Sequence, residues 1–220
     1  MFRSNSFNIN RSSLSGSLSR SKSVSDIGSE SLDHRVFIKI KEVNAEEFSS
    51  RLDFILLTSM KDPEWYCEKG PVPLDPEQNR WNNGYERAHG GFRTMDLNLS
   101  YGNYEEESQF FVVYYKIYPV GAAQCTPKKD NAPSLLNVDQ FSFHLGIENC
   151  ECMLMEHLVN HSQELGLGGR LKDSPLPDTI PFYYRMGFTP LDFNAKFMYL
   201  DPATSPQWYF KDGKYKYCGR

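Results

Sequence analysis

The pattern of apolar and polar positions divides the chain near residue 34. Residues 1–33 are rich in Ser with interspersed Arg and Lys, and they hold too few apolar side chains to bury a face. From Val36 onward, apolar residues recur with the periods of strands and helices. We therefore expect a disordered Ser/Arg-rich tail over residues 1–33, followed by a single folded domain over residues 34–220.

Alternation and helical spacing predict the first elements of this domain. Residues 36–43 interleave apolar side chains with lysines, which indicates a strand. Residues 44–60 place apolar side chains at helical spacing after Asn44, a favourable N-cap. Prolines and the turn at residues 82–84 predict that residues 61–100 are an irregular loop with at most a short helix, and a loop of this length is often functional.

The second half of the chain predicts a three-stranded meander and then alternating helices and strands. Two strands are expected within residues 109–127 and a third within residues 135–147. The following elements are a helix ending at Gly166, a short strand, a short helix at residues 180–187, a strand at residues 191–200 and a hairpin turned at residues 212–213. The predicted order is β-α-loop-β-β-β-α-β-α-β-β.

The stretch "IPFYYRMGF", from Ile180 to Phe188, is too aromatic for a solvent loop. Asp178 or Thr179 can cap its start, Pro181 fits the first turn, and Gly187 ends it. We expect a short helix here. Its two tyrosines fit either a functional role or two sides of an aromatic core helix.

This order of elements, with "FYYRMGF" after a strand-to-helix turn, resembles the GNAT N-acetyltransferase superfamily. The pieces that carry the resemblance are "PVGAAQ", "LMEHLVNHSQELGLGGRLK" and the residues Phe182, Tyr183, Gly187 and Phe188, within residues 36–217. The resemblance implies an α/β (α+β) domain with a central mixed, mostly antiparallel sheet of about six to seven strands flanked by helices.

The resemblance also implies an activity and a set of site residues. Acetyl-CoA, as co-substrate, would lie where the fourth and fifth strands splay apart, and a primary amine would attack its thioester directly. Tyr183 would be the general acid, since a phenol of pKa ~10 stays protonated at neutral pH, and His144 would be the general base. The implied cofactor-binding residues are Phe143, Leu145, Gly146, Ile147, Asn149, Ser174 and Phe182.

The loop that should bind the CoA pyrophosphate departs from the family pattern. It reads "GIENCEC", with one glycine, no Arg or Lys, and the acids Glu148 and Glu151. This departure supports an alternative, a GNAT-fold interaction module without CoA catalysis, such as a secreted bacterial effector. The alternative predicts that one of these carboxylates fills the loop, or that Phe141 or Phe143 fills the space between the splayed strands.

An acidic and aromatic region between residues 61 and 91 suggests an acceptor site. Glu64 and Glu68 would attract a cationic amine, while Trp81 and Tyr85 would shape its pocket. The acceptor would be a small molecule or the lysine or N-terminus of a protein. The same acids also fit a solvated loop.

Charge and composition limit the partners and the compartment. The net charge of −4 disfavours nucleic acid, and no stretch approaches the ~20 apolar residues of a membrane span. Five cysteines without a repeated spacing argue against a disulfide framework, so we expect an intracellular, cytoplasmic protein. The tail also fits a transit peptide, a kinase-substrate segment or a plain linker.

A metal site is not expected. His157 and His161 are spaced i, i+4, but the glutamate of a metalloprotease motif and a third ligand are missing. His161 lies on an apolar stripe and is better explained as a core residue.

Overall fold

The computed structural model of the chain describes residues 34–60, 75–129, 133–147, 150–194 and 196–219, so the predicted tail lies outside the described part. The α-helices within these ranges are α1 (Ala45–Phe54), α2 (Pro76–Ser100), α3 (Cys150–Glu164) and α4 (Ile180–Arg185). The strands are β1 (Ile38–Val43), β2 (Gln109–Tyr115), β3 (Tyr118–Lys128), β4 (Leu135–Phe143), β5 (Leu171–Asp173), β6 (Thr189–Pro190), β7 (Met198–Leu200), β8 (Trp208–Lys211) and β9 (Lys214–Tyr217).

Seven of the described strands form one sheet in the order β1-β2-β3-β4-β5-β7-β6, and β8 and β9 form a separate hairpin. Every described neighbour pair in the sheet is antiparallel except β4 and β5. This pair is parallel because α3 carries the chain back along the sheet between the two strands. The expected mixed, mostly antiparallel sheet flanked by helices is therefore confirmed.

Side chains of β2 alternate between two apolar cores, one on each face of the sheet. Phe110 and Val112 point to the face covered by α1 and α2, where Phe92 is fully buried. Phe111 and Val113 point to the opposite face, which α3 and α4 cover. The sheet is thus covered by helices on both faces, and β4 contacts α2 on one face and α3 on the other.

Several local predictions are confirmed. The meander turns at Lys116, which has a φ of 57° between β2 and β3. α3 is followed by Gly166 with a φ of 76°, a conformation that glycine adopts without strain. The final hairpin turns at Asp212 and Gly213, both with positive φ.

The prediction of an irregular segment with a short helix around residues 76–88 underestimates the helix, because all of residues 76–100 form α2. Asp75 caps this helix by accepting hydrogen bonds from the backbone N–H groups of Glu77 and Gln78. Gly91 faces β4 so closely that a Cβ there would lie 2.8 Å from Ser142 Oγ. This glycine therefore permits close packing of the helix on the sheet instead of ending the helix.

Three smaller predictions also differ from the structure. The first strand begins at Ile38, after a 3₁₀ turn over His34–Phe37, and the strand expected at residues 191–200 is limited to Met198–Leu200. No side-chain cap starts α4, because a 3₁₀ turn over Pro177–Thr179 leads directly into it. The Thr179 hydroxyl instead donates a hydrogen bond to the Leu176 carbonyl.

Candidate functional site

The fourth and fifth strands separate partway along β4. Their parallel pairing runs from Leu136 with Leu171 to Val138 with Asp173. β5 ends at Asp173, whereas β4 continues to Phe143. The second half of β4 therefore extends beyond its described pairing with β5.

A β-bulge lies where the strands separate. The register between β3 and β4 shifts between Gln124 and Cys125, so that Asp139 is the extra residue of the bulge and is not paired with a residue of β3 in the strand register. The Asp139 carboxylate accepts hydrogen bonds from Thr126 Oγ1 at 2.6 Å and Asn137 Nδ2 at 2.5 Å. Burial raises the pKa of this carboxyl above its ordinary value, and the two hydrogen bonds oppose that effect.

Tyr183 lies beside the last residue of β5. Its hydroxyl donates a hydrogen bond to Asp173 Oδ2 at 2.5 Å, and the two residues are only 4% and 7% exposed. Asp173 was not among the residues picked out from the sequence. The available signal was an acid at the end of a predicted buried strand, but no local pattern links it to a tyrosine ten residues away.

Burial changes the ionisation of both partners. It raises the pKa of Asp173 to about 7, with the bonds from Tyr183 and the Ser174 N–H acting in the opposite direction. It also raises the pKa of Tyr183 well above its ordinary value, and the neighbouring carboxylate adds to that increase. The phenol is therefore protonated at neutral pH, and burial moves the pKa of Asp173 from the ordinary carboxyl range towards neutral pH.

The loop after β4 is closed on itself around His144. His144 is buried, its Nδ1 accepts the Gly146 N–H at 3.0 Å, and its carbonyl accepts the Ile147 N–H at 3.3 Å. A neutral imidazole that accepts at Nδ1 carries its proton on Nε2. To act as a general base, His144 would therefore have to release Gly146.

Aromatic rings connect the second half of β4 to α4. Phe141 stacks on Phe182 of α4 with ring centroids 6.3 Å apart and an interplanar angle of 17°. Phe143 packs against Phe141 at 5.5 Å. The rings of Phe141 and Phe182 therefore connect β4 to α4.

The remaining predicted cofactor and substrate residues are distributed over several places. Leu145 packs against α2 at Gly84, and the Ser174 hydroxyl donates to the Lys196 carbonyl. Trp81 and Tyr85 lie on α2, where the Tyr85 hydroxyl donates to the Met60 carbonyl. Three predicted residues lie outside the described residues: Glu64, Glu68 and Asn149.

An ion pair connects the two helical layers near the site. Arg87 of α2 binds Asp178, which precedes α4, and both side chains are partly exposed. Next to Arg87, the Ala88 carbonyl accepts a hydrogen bond from Ser142 of β4. The ion pair therefore links α2 to the β5–α4 connection beside the part of β4 that β5 does not cover.

A groove elsewhere on the surface has a volume of about 260 Å³. Its lining includes Tyr184, Thr189, Tyr199 and Ser205, but neither Tyr183 nor Asp173. The buried tyrosine–carboxylate pair is thus not part of this groove.

His157 and His161 do not form a metal centre with a third ligand in the described part of the chain. Their rings stack at 6.5 Å, and His161 Nε2 shares a hydrogen bond with Gln109 Oε1 at 2.9 Å. Both rings also meet Phe111 edge to face. The histidine pair therefore packs against the sheet.

Among the described residues, every helix is too short or too polar to cross a membrane.

Comparisons with known proteins give structural matches alone: no family model and no curated protein matches the chain. The PaiA N-acetyltransferase of Thermoplasma acidophilum, in complex with coenzyme A, aligns at 12% identity and a TM-score of 0.43, covering 74% of this chain and 96% of its own. A mutant AtaT toxin bound to the C-terminus of the antitoxin AtaR and acetyl-CoA aligns at 11% identity and a TM-score of 0.46, covering 74% of this chain and 92% of its own.

A third similar structure is FeeM, an N-acyl amino acid synthase from uncultured soil microbes. It aligns at 12% identity and a TM-score of 0.45, covering 82% of this chain and 91% of its own. At these identities and scores, the matches carry no information about the chemistry of this chain. The function must therefore be inferred from its own residues.

Proposed function

We propose that this protein transfers an acetyl group from acetyl-CoA to a primary amine. The observation that carries the proposal is the separation of β4 and β5 directly beyond Val138 and Asp173, with the phenol of Tyr183 hydrogen-bonded to Asp173 at that point. A protonated phenol beside a gap between two strands is suited to general-acid catalysis of thioester cleavage. Acetyl-CoA, when bound, supplies a thioester whose sulfur leaves as a thiolate.

Tyr183 is the general acid in this proposal. Because burial raises its pKa, the phenol keeps its proton at neutral pH and is available to donate it to sulfur as the carbon–sulfur bond breaks. Its ring is held edge to face by Phe182 and Phe188, with centroids 5.4 and 5.1 Å away. The base role predicted for His144 requires its bond to Gly146 to open first.

The site is suited to the pantetheine arm of acetyl-CoA but poorly suited to its pyrophosphate. The second half of β4 extends beyond its pairing with β5, so its backbone is suited to binding the amides of a pantetheine arm. In contrast, the described loop residues already use the N–H groups of Gly146 and Ile147, and no cationic side chain lies between His144 and Cys152. We therefore expect the pantetheine arm to supply most of the affinity and the pyrophosphate little.

The proposal is tested with the full chain, by calorimetric titration of acetyl-CoA and, in parallel, of acetyl-pantetheine, which lacks the nucleotide and the pyrophosphate. We expect micromolar affinity, about −8 kcal/mol, and similar values for the two compounds. Release of free thiol is then followed with a panel of primary amines. Absence of binding by either compound, or binding without thiol release for any amine, would contradict the proposal.

A second candidate is an interaction module without CoA catalysis. Two observations favour it: the ring of Phe141 is packed on Phe182 of α4, and Nδ1 of His144 is already bonded to the Gly146 N–H. The same titration separates the two candidates, because a module of this kind would bind neither thioester. The acceptor, whether a small amine or a protein lysine, is identified by the thiol-release panel.

A further inference from the structure

The bond between Asp173 and Tyr183 joins the end of a central strand to the short helix that follows it. Asp173 is the last residue of β5 and is paired with Val138, while Tyr183 is the fourth residue of α4. The strand pairing fixes the carboxylate, and the rings around Tyr183 fix the phenol. The two oxygens are 2.5 Å apart and form one hydrogen bond. An ionised Asp173 can only accept this bond, whereas a protonated Asp173 can either accept it or donate it.

We propose that Asp173 is a positioning residue that sets the direction of the Tyr183 hydroxyl and returns a proton to it during acyl transfer. This inference rests on the function proposed above and adds a residue to it. An ionised Asp173 accepts a hydrogen bond from the phenol O–H and so directs it away from the gap. A protonated Asp173 donates to the phenol oxygen instead, and this frees the phenol O–H to reach a departing sulfur.

The surroundings of Asp173 make both forms accessible near neutral pH. The described groups that act on it are Tyr183 of α4, the Ser174 N–H, Cys125 of β3 and Asp139 of β4. Two of them donate hydrogen bonds to the carboxylate, and Asp139 repels its negative charge. The larger effect is burial, which raises the pKa of Asp173 to about 7.

The proton balance of the step is complete. The amine forms the amide bond as the carbon–sulfur bond breaks, and the sulfur takes the proton of the Tyr183 hydroxyl. The phenolate oxygen then takes the proton of the Asp173 carboxyl. The proton that the amine nitrogen loses enters solvent, from which Asp173 is protonated again, so that one proton has moved from nitrogen to sulfur.

The first test measures kcat and KM for acetyl-CoA against pH, at saturating amine, in the wild type and in Asp173→Asn. We expect the wild-type kcat to decline above about pH 7, because ionised Asp173 holds the phenol proton. Asp173→Asn cannot ionise or return a proton, so we expect its kcat to be about 10-fold lower at acidic pH and to lose the alkaline decline. Its KM for acetyl-CoA should stay unchanged, and Asp212→Asn in the distant hairpin turn should behave as wild type.

A second readout does not depend on turnover. Tyrosines labelled with ¹³C at Cζ are followed by NMR against pH, with the Tyr183 signal assigned by its loss in Tyr183→Phe. We expect this signal to shift with an apparent pKa of about 7 in the wild type, and to stay constant over that range in Asp173→Asn.

The possible outcomes distinguish a failure of the role proposed for Asp173 from a failure of the proposed acetyl transfer. Turnover in the wild type with the same kcat–pH profile in Asp173→Asn would overturn the role of Asp173 and leave the proposed function standing. A Tyr183 signal that does not respond to pH near 7 would also overturn that role. The third outcome is a wild type in which the Tyr183 signal titrates near pH 7 but no amine causes thiol release. This result would overturn the proposed function, and with it the catalytic role of the Asp173–Tyr183 pair.

Discussion

The two halves of β4 have the same backbone direction but different surroundings. The first half, up to Val138, lies between β3 and β5, and Leu136 and Val138 are almost fully buried there. The second half, beyond Asp139, keeps β3 but extends past β5, and helices α2 and α4 supply its other contacts. The first half of β4 is thus held by two neighbouring strands, whereas the second half has one neighbouring strand and contacts with side chains of helices. The Asp173–Tyr183 pair lies where the two halves meet.

The largest effect is expected from Tyr183→Phe at this junction, which keeps the ring and removes the proton donor. We expect kcat to fall by about 100-fold or more, because general-acid catalysis commonly contributes that much. Circular dichroism and thermal unfolding should show a retained fold. The control is Tyr184→Phe, since Tyr184 is half-exposed and adjacent. Equal turnover in Tyr183→Phe and the control would remove Tyr183 from the mechanism.

The pH dependence of stability should reveal the buried carboxyl at the same junction. Burial raises the pKa of Asp173 from 3.8 to about 7, so the folded protein binds this proton more tightly than the unfolded chain does. The stabilisation from the bound proton is complete below about pH 4 and is lost as the pH rises through about 7. Three pKa units correspond to a loss on the order of 4 kcal/mol.

Asp173→Asn should remove this loss. The measurement is the free energy of unfolding in urea at about pH 5 and pH 8 for the wild type and the variant. We expect the variant to gain stability relative to the wild type as the pH rises. The control is Asp212→Asn, because Asp212 is exposed in the hairpin turn. Parallel pH curves for the wild type and Asp173→Asn would contradict a raised pKa.

The contact of α2 with the second half of β4 can be tested with two adjacent glycines. A Cβ at Gly91 would meet Ser142 Oγ at 2.8 Å, whereas a Cβ at Gly90 would meet nothing within 4 Å. We expect Gly91→Ala to destabilise the protein by about 1–3 kcal/mol and Gly90→Ala to stabilise it by up to about 1 kcal/mol. Urea unfolding measures the change in the free energy of unfolding for both variants. If both substitutions stabilise the protein, or both destabilise it, the contact of Gly91 with Ser142 does not constrain the helix.

The aromatic cover of the second half of β4 gives the smallest expected effect. Phe182→Ala removes the ring that stacks on Phe141, so we expect acetyl-CoA to bind about 10-fold more tightly, or about 1.4 kcal/mol. Calorimetry measures the change, with Phe193→Ala as the control because Phe193 is fully exposed. Weaker binding in Phe182→Ala would mean that the ring forms part of the binding surface instead of blocking it.

Local patterns were sufficient for much of the fold. The turn at Asp212–Gly213 and the end of α3 at Gly166 follow from residues whose conformational preferences act over a few positions. Most of the strands and the helices α1, α3 and α4 follow from hydrophobic periodicity in the same way. α2 was misread because the prolines up to Pro76 and the residues 82–84 have the local preferences of turns, whereas the helix is stabilised by contacts with residues distant in sequence, such as that of Gly91 with Ser142.

The sequence by itself determined most of the strands, the turn of the final hairpin and the placement of Tyr183 on a short helix after a strand, because periodicity and turn chemistry act over short distances. Only the tertiary structure decided which groups Tyr183, His144 and Phe141 contact. The strand pairing that buries Asp173 raises its pKa, and the loop after β4 joins His144 to Gly146. Burial and hydrogen bonding of this kind depend on residues that the fold brings together, so no local pattern of the chain specifies them.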